Sequence, residues 1–223
     1  MHKLTAEDHA RVSKAIAAAE EKSDGEIIAV TTELSDKYHD AALHYAVLAV
    51  MVMLAAVAAW PDLLDWWYRI IFDGWVEPSL RGRYTLLLFF ALLKFLGVLL
   101  VLRWMPLRLA LVPGTTKTRR VRRRAIDIYK AGAERRTVGR TGILIYLSLG
   151  EHRAEIIHDD AITEVVEPDT WGEAMAALLE PVKDGRIVDG IVAAIEEVGE
   201  VLAEHFPKSS EDTNEIPDKL IEL

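Results

Sequence analysis

The chain has no cysteine among its 223 residues. Disulfides, cysteine-ligated metals and a cysteinyl-phosphate intermediate are therefore excluded. It also lacks a G-x-x-x-x-G-K-[ST] phosphate loop, a G-x-S-x-G nucleophile elbow and a D-x-D pair at the end of an apolar strand. The usual signatures of P-loop nucleotide binding, serine hydrolysis and aspartyl-phosphate chemistry are thus missing. The opening residues, MHKLTAEDHARVSK, have no apolar core before a small-residue cleavage site, so no signal peptide is expected. Two long stretches lack Asp and Glu altogether. They dominate what is present.

Ala41 to Ala59, AALHYAVLAVMVMLAAVAA, carries no full charge. As a helix it would cover about 28 Å, roughly the hydrocarbon thickness of a bilayer. Tyr84 to Leu102, YTLLLFFALLKFLGVLLVL, is a second segment of matching length, interrupted only by Lys94. The residues between are rich in tryptophan (Trp60, Trp66, Trp67 and Trp75), as suits a headgroup region where a ring is half wet. A soluble hairpin would need a large partner core to cover two helices that are apolar all round, and the rest of the chain is too small to supply one. The pattern therefore predicts two membrane spans, about 41–59 and 84–102. These give an overall composition 51% hydrophobic and yet 27% charged.

Net charge is −9, but the basic residues crowd one side of the spans. Arg103, Arg108, Lys117, Arg119, Arg120, Arg122, Arg123 and Arg124 follow the second span and Lys37 precedes the first. The intervening loop has Arg69, Arg81 and Arg83 diluted by Asp62, Asp65, Asp73 and Glu77. Positive charge stays inside, so both termini are expected in the cytoplasm, with a multi-pass protein in the inner membrane. The flanking pieces then lie on one side and can fold together. The expected division is 1–36 and 113–206 as two parts of one domain, 37–112 as an inserted transmembrane hairpin, and 207–223 as a disordered acidic tail.

In the soluble pieces, Leu4 to Lys22 reads as an amphipathic helix capped by Thr5 with Asp8 in the capping-box position. Glu26 to Thr32 reads as a buried strand. Lys117 to Arg136 is a basic helix with Val121, Ala125, Ile128 and Tyr129 on its apolar side. Thr141 to Leu149 is too continuously apolar to be half-exposed and belongs mid-sheet, with a turn at Gly150-Glu151. His152 to His158 alternates more and suits a place nearer an edge. Thr170 and Glu173 are spaced as a capping box for a helix ended by Asp184-Gly185, and Ile187 to His205 forms the last helix.

The pieces LTAEDHARVSKAIAAAEEKSDGEIIAVTTE, RRRAIDIYKAGAERRTVGRTGILIYLSLGEHRAEIIHDDAI and GRIVDGIVAAIEEVGEVLAEHFP resemble, in order and spacing, the TPM domain family, often labelled a phosphatase. The resemblance implies an α/β fold, a small mixed-sheet sandwich with helices on both faces, here interrupted by the two-helix hairpin. Relatives carry D-R-G after the strand pair where this chain has Asp159-Asp160-Ala161, so any turn needing a glycine at Ala161 is altered.

The candidate site is the cluster His158, Asp159 and Asp160, whose hard oxygen ligands suit Ca²⁺ or Mg²⁺. A strand running through these residues would point Asp159 away from the other two, and a solvated strand end and turn, where Asp is common, is the plainer account of them. Arg119, Arg120, Arg122, Arg123 and Arg124 form a basic run without interleaved aromatics, which lipid headgroups explain better than nucleic acid. Lys94 is the odd residue within the spans. A cation there faces a partner, a cavity or the interface by snorkelling. Two functions follow. The first is a membrane-anchored binding, assembly or modulation factor, whose partners are the bilayer and a membrane protein or a second copy. The other is a metal-assisted phosphatase acting on phosphate esters.

Overall fold

The computed structural model describes residues 4–72, 79–132, 141–209 and 219–223. Trp75, Asp73 and Glu77, the stretch 133–140 and tail residues 210–218 lie outside the described residues. The chain divides into two compact units, one of Met1–Asp36 with Gly114–Leu223, the other Lys37–Pro113.

The first unit is a four-stranded mixed sheet with helices on both faces. It opens with helix α1 (Ala6–Glu20), capped as its sequence predicts. The Thr5 hydroxyl accepts from the Asp8 N–H at 3.2 Å, while Asp8 Oδ2 accepts from the Thr5 N–H at 2.9 Å. Strand β1 (Glu26–Thr32) follows, buried at every position.

The second unit holds α2 (His39–Ala59), α3 (Asp62–Ile71), α4 (Leu80–Val101) and α5 (Met105–Leu111). α2 and α4 are the two long apolar helices, of 21 and 22 residues. Only 11% and 6% of their most apolar windows are buried inside the molecule. Leu88, Leu92 and Leu96 stand in the open at 54–61% exposure. Where the sequence suggests only a Trp-rich connection, part of it is helical: α3 leaves Leu63, Trp66, Trp67 and Ile70 exposed.

The chain returns to the first unit with α6 (Gly114–Gly132), then β2 (Gly142–Ser148), β3 (Arg153–His158), α7 (Asp160–Val165), α8 (Trp171–Lys183), α9 (Ile187–His205) and β4 (Leu220–Glu222). Strand order is β3-β2-β1-β4. β1 runs parallel to β2 and β4, with Ile27 opposite Ile143 and Ala29 opposite Leu220, and β2 is antiparallel to β3. Alternation along β1 and β2 sorts their side chains to two cores. Ile27, Ala29, Ile143, Ile145 and Leu147 meet α1, α8 and α9. Ile28, Val30, Leu144 and Tyr146 meet Val121, Ala125 and Tyr129 of α6. Both faces of the central strands are covered, hence the unbroken apolar runs.

Two local expectations are corrected. The segment 207–223 is not disordered where it is described: Pro207 bridges Ser23, and β4 closes the edge of β1. Three residues are too short to show a pattern, but an open edge of β1 presents unpaired N–H and C=O groups that any strand satisfies. Thr170 makes no side-chain cap. A 3-10 turn, Pro168–Thr170, runs straight into α8 and leaves that residue helical. Strand β3 ends at His158, where the sequence places its end, and Asp160 opens α7.

Candidate functional site

The hairpin β2-β3 delivers His158 and Asp159 to one end of the sheet. His158 pairs with Ile143 across the ladder and lays its ring 5.4 Å from that of Trp171, tilted by 31°. Its Nδ1 lies 3.2 Å from the Thr163 hydroxyl. Asp159 is almost wholly buried, and its Oδ2 accepts the backbone N–H of Gly142 at 3.1 Å. In return the Asp159 N–H donates to the Gly142 carbonyl at 3.1 Å, so the residue knots the start of β2 to the end of β3. Asp160 is exposed at the first turn of α7.

These three side chains therefore point to different tasks. Among the described residues, no group of three His, Asp or Glu side chains converges in a way that holds a metal ion. The donors do not fit Ca²⁺, which takes six to eight oxygens, or octahedral Mg²⁺. The cause is local: Asp159 is committed to backbone, and the helix turn at Asp160 carries the second carboxylate into solvent.

A second polar cluster, which the sequence does not announce, sits at the opposite end of β1 and β2. Glu151, in the β2-β3 turn, is only 3% exposed. It accepts the Ser148 hydroxyl and, through Oε1 and Oε2, the Ser35 N–H at 2.9 and 3.2 Å. The Ser35 hydroxyl lies 3.0 Å from the Tyr146 phenol. Burial raises the Tyr146 pKa above its usual value, with the Ser35 contact opposing. Gly150 is required beside it, because a Cβ there would collide with the Glu33 carbonyl oxygen. Turn residues are ordinarily solvated, which hides Glu151. The only trace in sequence is a hydroxyl three residues before it, at the end of a buried strand.

The basic run lies on α6. Arg119, Arg122, Arg123 and Arg124 are exposed, opposite the buried Val121, Ala125 and Tyr129. Arg120 is partly covered and pairs with Asp36 at 2.9 Å. Beside this helix, Glu155 of β3 has its pKa raised, chiefly by burial, with Arg122 opposing. Lys94 stands in α4 against an apolar cavity formed with α2 and α3.

Residues 105–201 match the model of the TPM domain family, from α5 to near the end of α9. That match to a TPM domain agrees with the resemblance read from the motifs. The opening helix and strand lie outside the match, yet β1 is the central partner of β2. The NMR structure of the BA42 protein from the psychrophilic bacterium Bizionia argentinensis sp. nov. superposes with a TM-score of 0.59. It covers 100% of this chain and 98% of that one at 19% identity, a likeness of fold. No curated protein matches the chain.

Proposed function

We propose that this protein is anchored in the bacterial inner membrane by α2 and α4 and presents its TPM-type unit to the cytoplasm. There it works as a binding, assembly or modulation factor. The observation that carries the anchoring is the exposure of the two long helices. Side chains such as Leu88, Leu92 and Leu96 form continuous apolar surface that water would penalise and lipid would not. Orientation rests on the excess of Lys and Arg flanking the helices on the side of the termini. The exposed Arg119, Arg122, Arg123 and Arg124, with Arg120, suit anionic headgroups of the inner leaflet, at about 1 kcal/mol each.

No observation favours the metal-assisted phosphatase reading, since the acidic residues it needs do not converge. Flotation of the full chain with liposomes after an alkaline wash tests the anchoring. Retention in the lipid layer is the expected result, and release into the wash would contradict it. The proposed role is tested by phosphate-ester hydrolysis in Ca²⁺ or Mg²⁺: turnover lost in Asp159→Ala and metal-dependent would overturn a purely binding role.

A further inference from the structure

Lys94, itself exposed on α4, borders an open cleft of about 290 Å³ within the second unit. Its other walls are apolar, among them Met53 and Val57 of α2, Trp67 of α3, and Leu87 and Phe90 of α4. A helical side chain leans toward the N-terminus of its own helix, so the lysine stem leans along Phe90 and Leu87, which line the same space. No carboxylate among the described residues pairs with it. The Asp or Glu nearest to it in sequence among the described residues, Asp65, gives both its oxygens to Arg83 at 2.7 Å.

We propose that this cavity binds a single-chain amphiphile with an anionic head, carboxylate or phosphate, whose charge Lys94 neutralises while the apolar walls take the chain. The inference rests on the membrane placement proposed above. A cation inside a bilayer is costly unless it meets an opposite charge, and such a pair is strong where water is excluded. A concave, mainly apolar pocket with one convergent polar group is the ordinary form of a small-molecule site. Its volume lies just under the range for such sites, about 300–1,000 Å³, which leaves room for part of one acyl chain and not for two. A second copy cannot supply the counter-charge from its spans, because residues 41–59 and 84–102 contain no Asp or Glu. A partner helix is about 10 Å across and cannot enter a space of this size.

The test uses the full chain in neutral phosphatidylcholine liposomes, recovered by flotation after an alkaline wash. Dansyl-labelled undecanoic acid is titrated in, with energy transfer from tryptophan as the readout. Binding should saturate and be displaced by palmitate, lysophosphatidate or both, but not by uncharged methyl palmitate. The pattern of displacement identifies whether a carboxylate or a phosphate head is preferred. Lys94→Gln should weaken binding by roughly tenfold or more. Lys94→Arg should retain it, and Val57→Trp, which fills the cavity and leaves the charge, should weaken it. Floating protein in which Lys94→Gln binds like the parent, or displacement by methyl palmitate as effective as by palmitate, would overturn the inference alone. So would preferential binding of a Leu-rich helical peptide carrying one Asp. Protein that fails to float overturns the membrane placement and this site together.

Discussion

The backbone N–H of Ser35 donates to Glu151 Oε1 at 2.9 Å, joining the end of β1 to a turn 116 residues further along the chain. The same carboxylate receives the Ser148 hydroxyl in a place where only 3% of Glu151 meets solvent. Removing it strands the buried Ser148 hydroxyl and the half-buried Ser35 N–H. Glu151→Ala is therefore expected to destabilise the first unit by about 1–3 kcal/mol, and Ser148→Ala by less, since Ser35 keeps its acceptor. Thermal melts of the full chain in detergent measure both, and equal stability in the Glu151 variant would show the contact to be idle.

Asp159 and Asp160 should behave differently although they are neighbours. Asp159→Ala takes away the acceptor of the buried Gly142 N–H and is expected to cost about 1–3 kcal/mol. Asp160→Ala, exposed at the start of α7, should cost at most a few tenths of a kcal/mol through the helix dipole. The difference should persist with Ca²⁺, Mg²⁺ or a chelator present. A loss of stability seen only on chelation, and abolished in both variants, would restore the metal reading.

Much of the fold could be read from the chain because it rests on local pattern. The capping box at Thr5, the apolar runs 26–32 and 142–148, and the stripe Val121, Ala125, Tyr129 each carry their burial in their spacing. The site was less legible. Whether Asp159 faces solvent or a backbone N–H depends on where the strand ends, and one residue of register decides it. Glu151 was hidden for a similar reason, since nothing local tells that a turn folds back onto Ser35. β4 was hidden because three residues carry no period, and its partner strand lies almost two hundred positions earlier.

The end of the chain gives a prediction opposite to that of a disordered tail. Leu220 is 4% exposed and packs in the core that includes Ala29 and Leu147. Leu220→Ala should cost about 2–4 kcal/mol, at the lower part of that range because β4 is short and at an edge. Truncation after Lys208 should lower the melting temperature further and expose the edge of β1 to association. Unchanged melting of the truncated chain would return the tail to disorder.

Glu155 supplies a pH dependence. Burial raises its pKa in the folded state above the ordinary 4.5, so the folded state favours the protonated acid. Its contribution to stability is fully present below the unfolded value and is lost as pH rises through the folded one. Glu155→Gln should therefore be more stable than the parent at neutral pH, by less than about 1 kcal/mol because the group is half open to screening water. The gap should close below the ordinary glutamate range. Melts of the two proteins from acid to neutral pH measure it, and a gap that widens in acid would reverse the sign.

The membrane placement of α2 and α4, with the TPM-type unit inside, is tested most directly by cysteine accessibility, which a chain without cysteine permits cleanly. Arg69→Cys lies exposed in α3 between the spans, and Lys130→Cys lies exposed in α6 of the other unit. Intact bacterial cells expressing each variant are treated with a membrane-impermeant maleimide, then lysed and treated again. The account predicts labelling of Arg69→Cys in intact cells and of Lys130→Cys only after lysis. Labelling of both, or of neither, before lysis would contradict it.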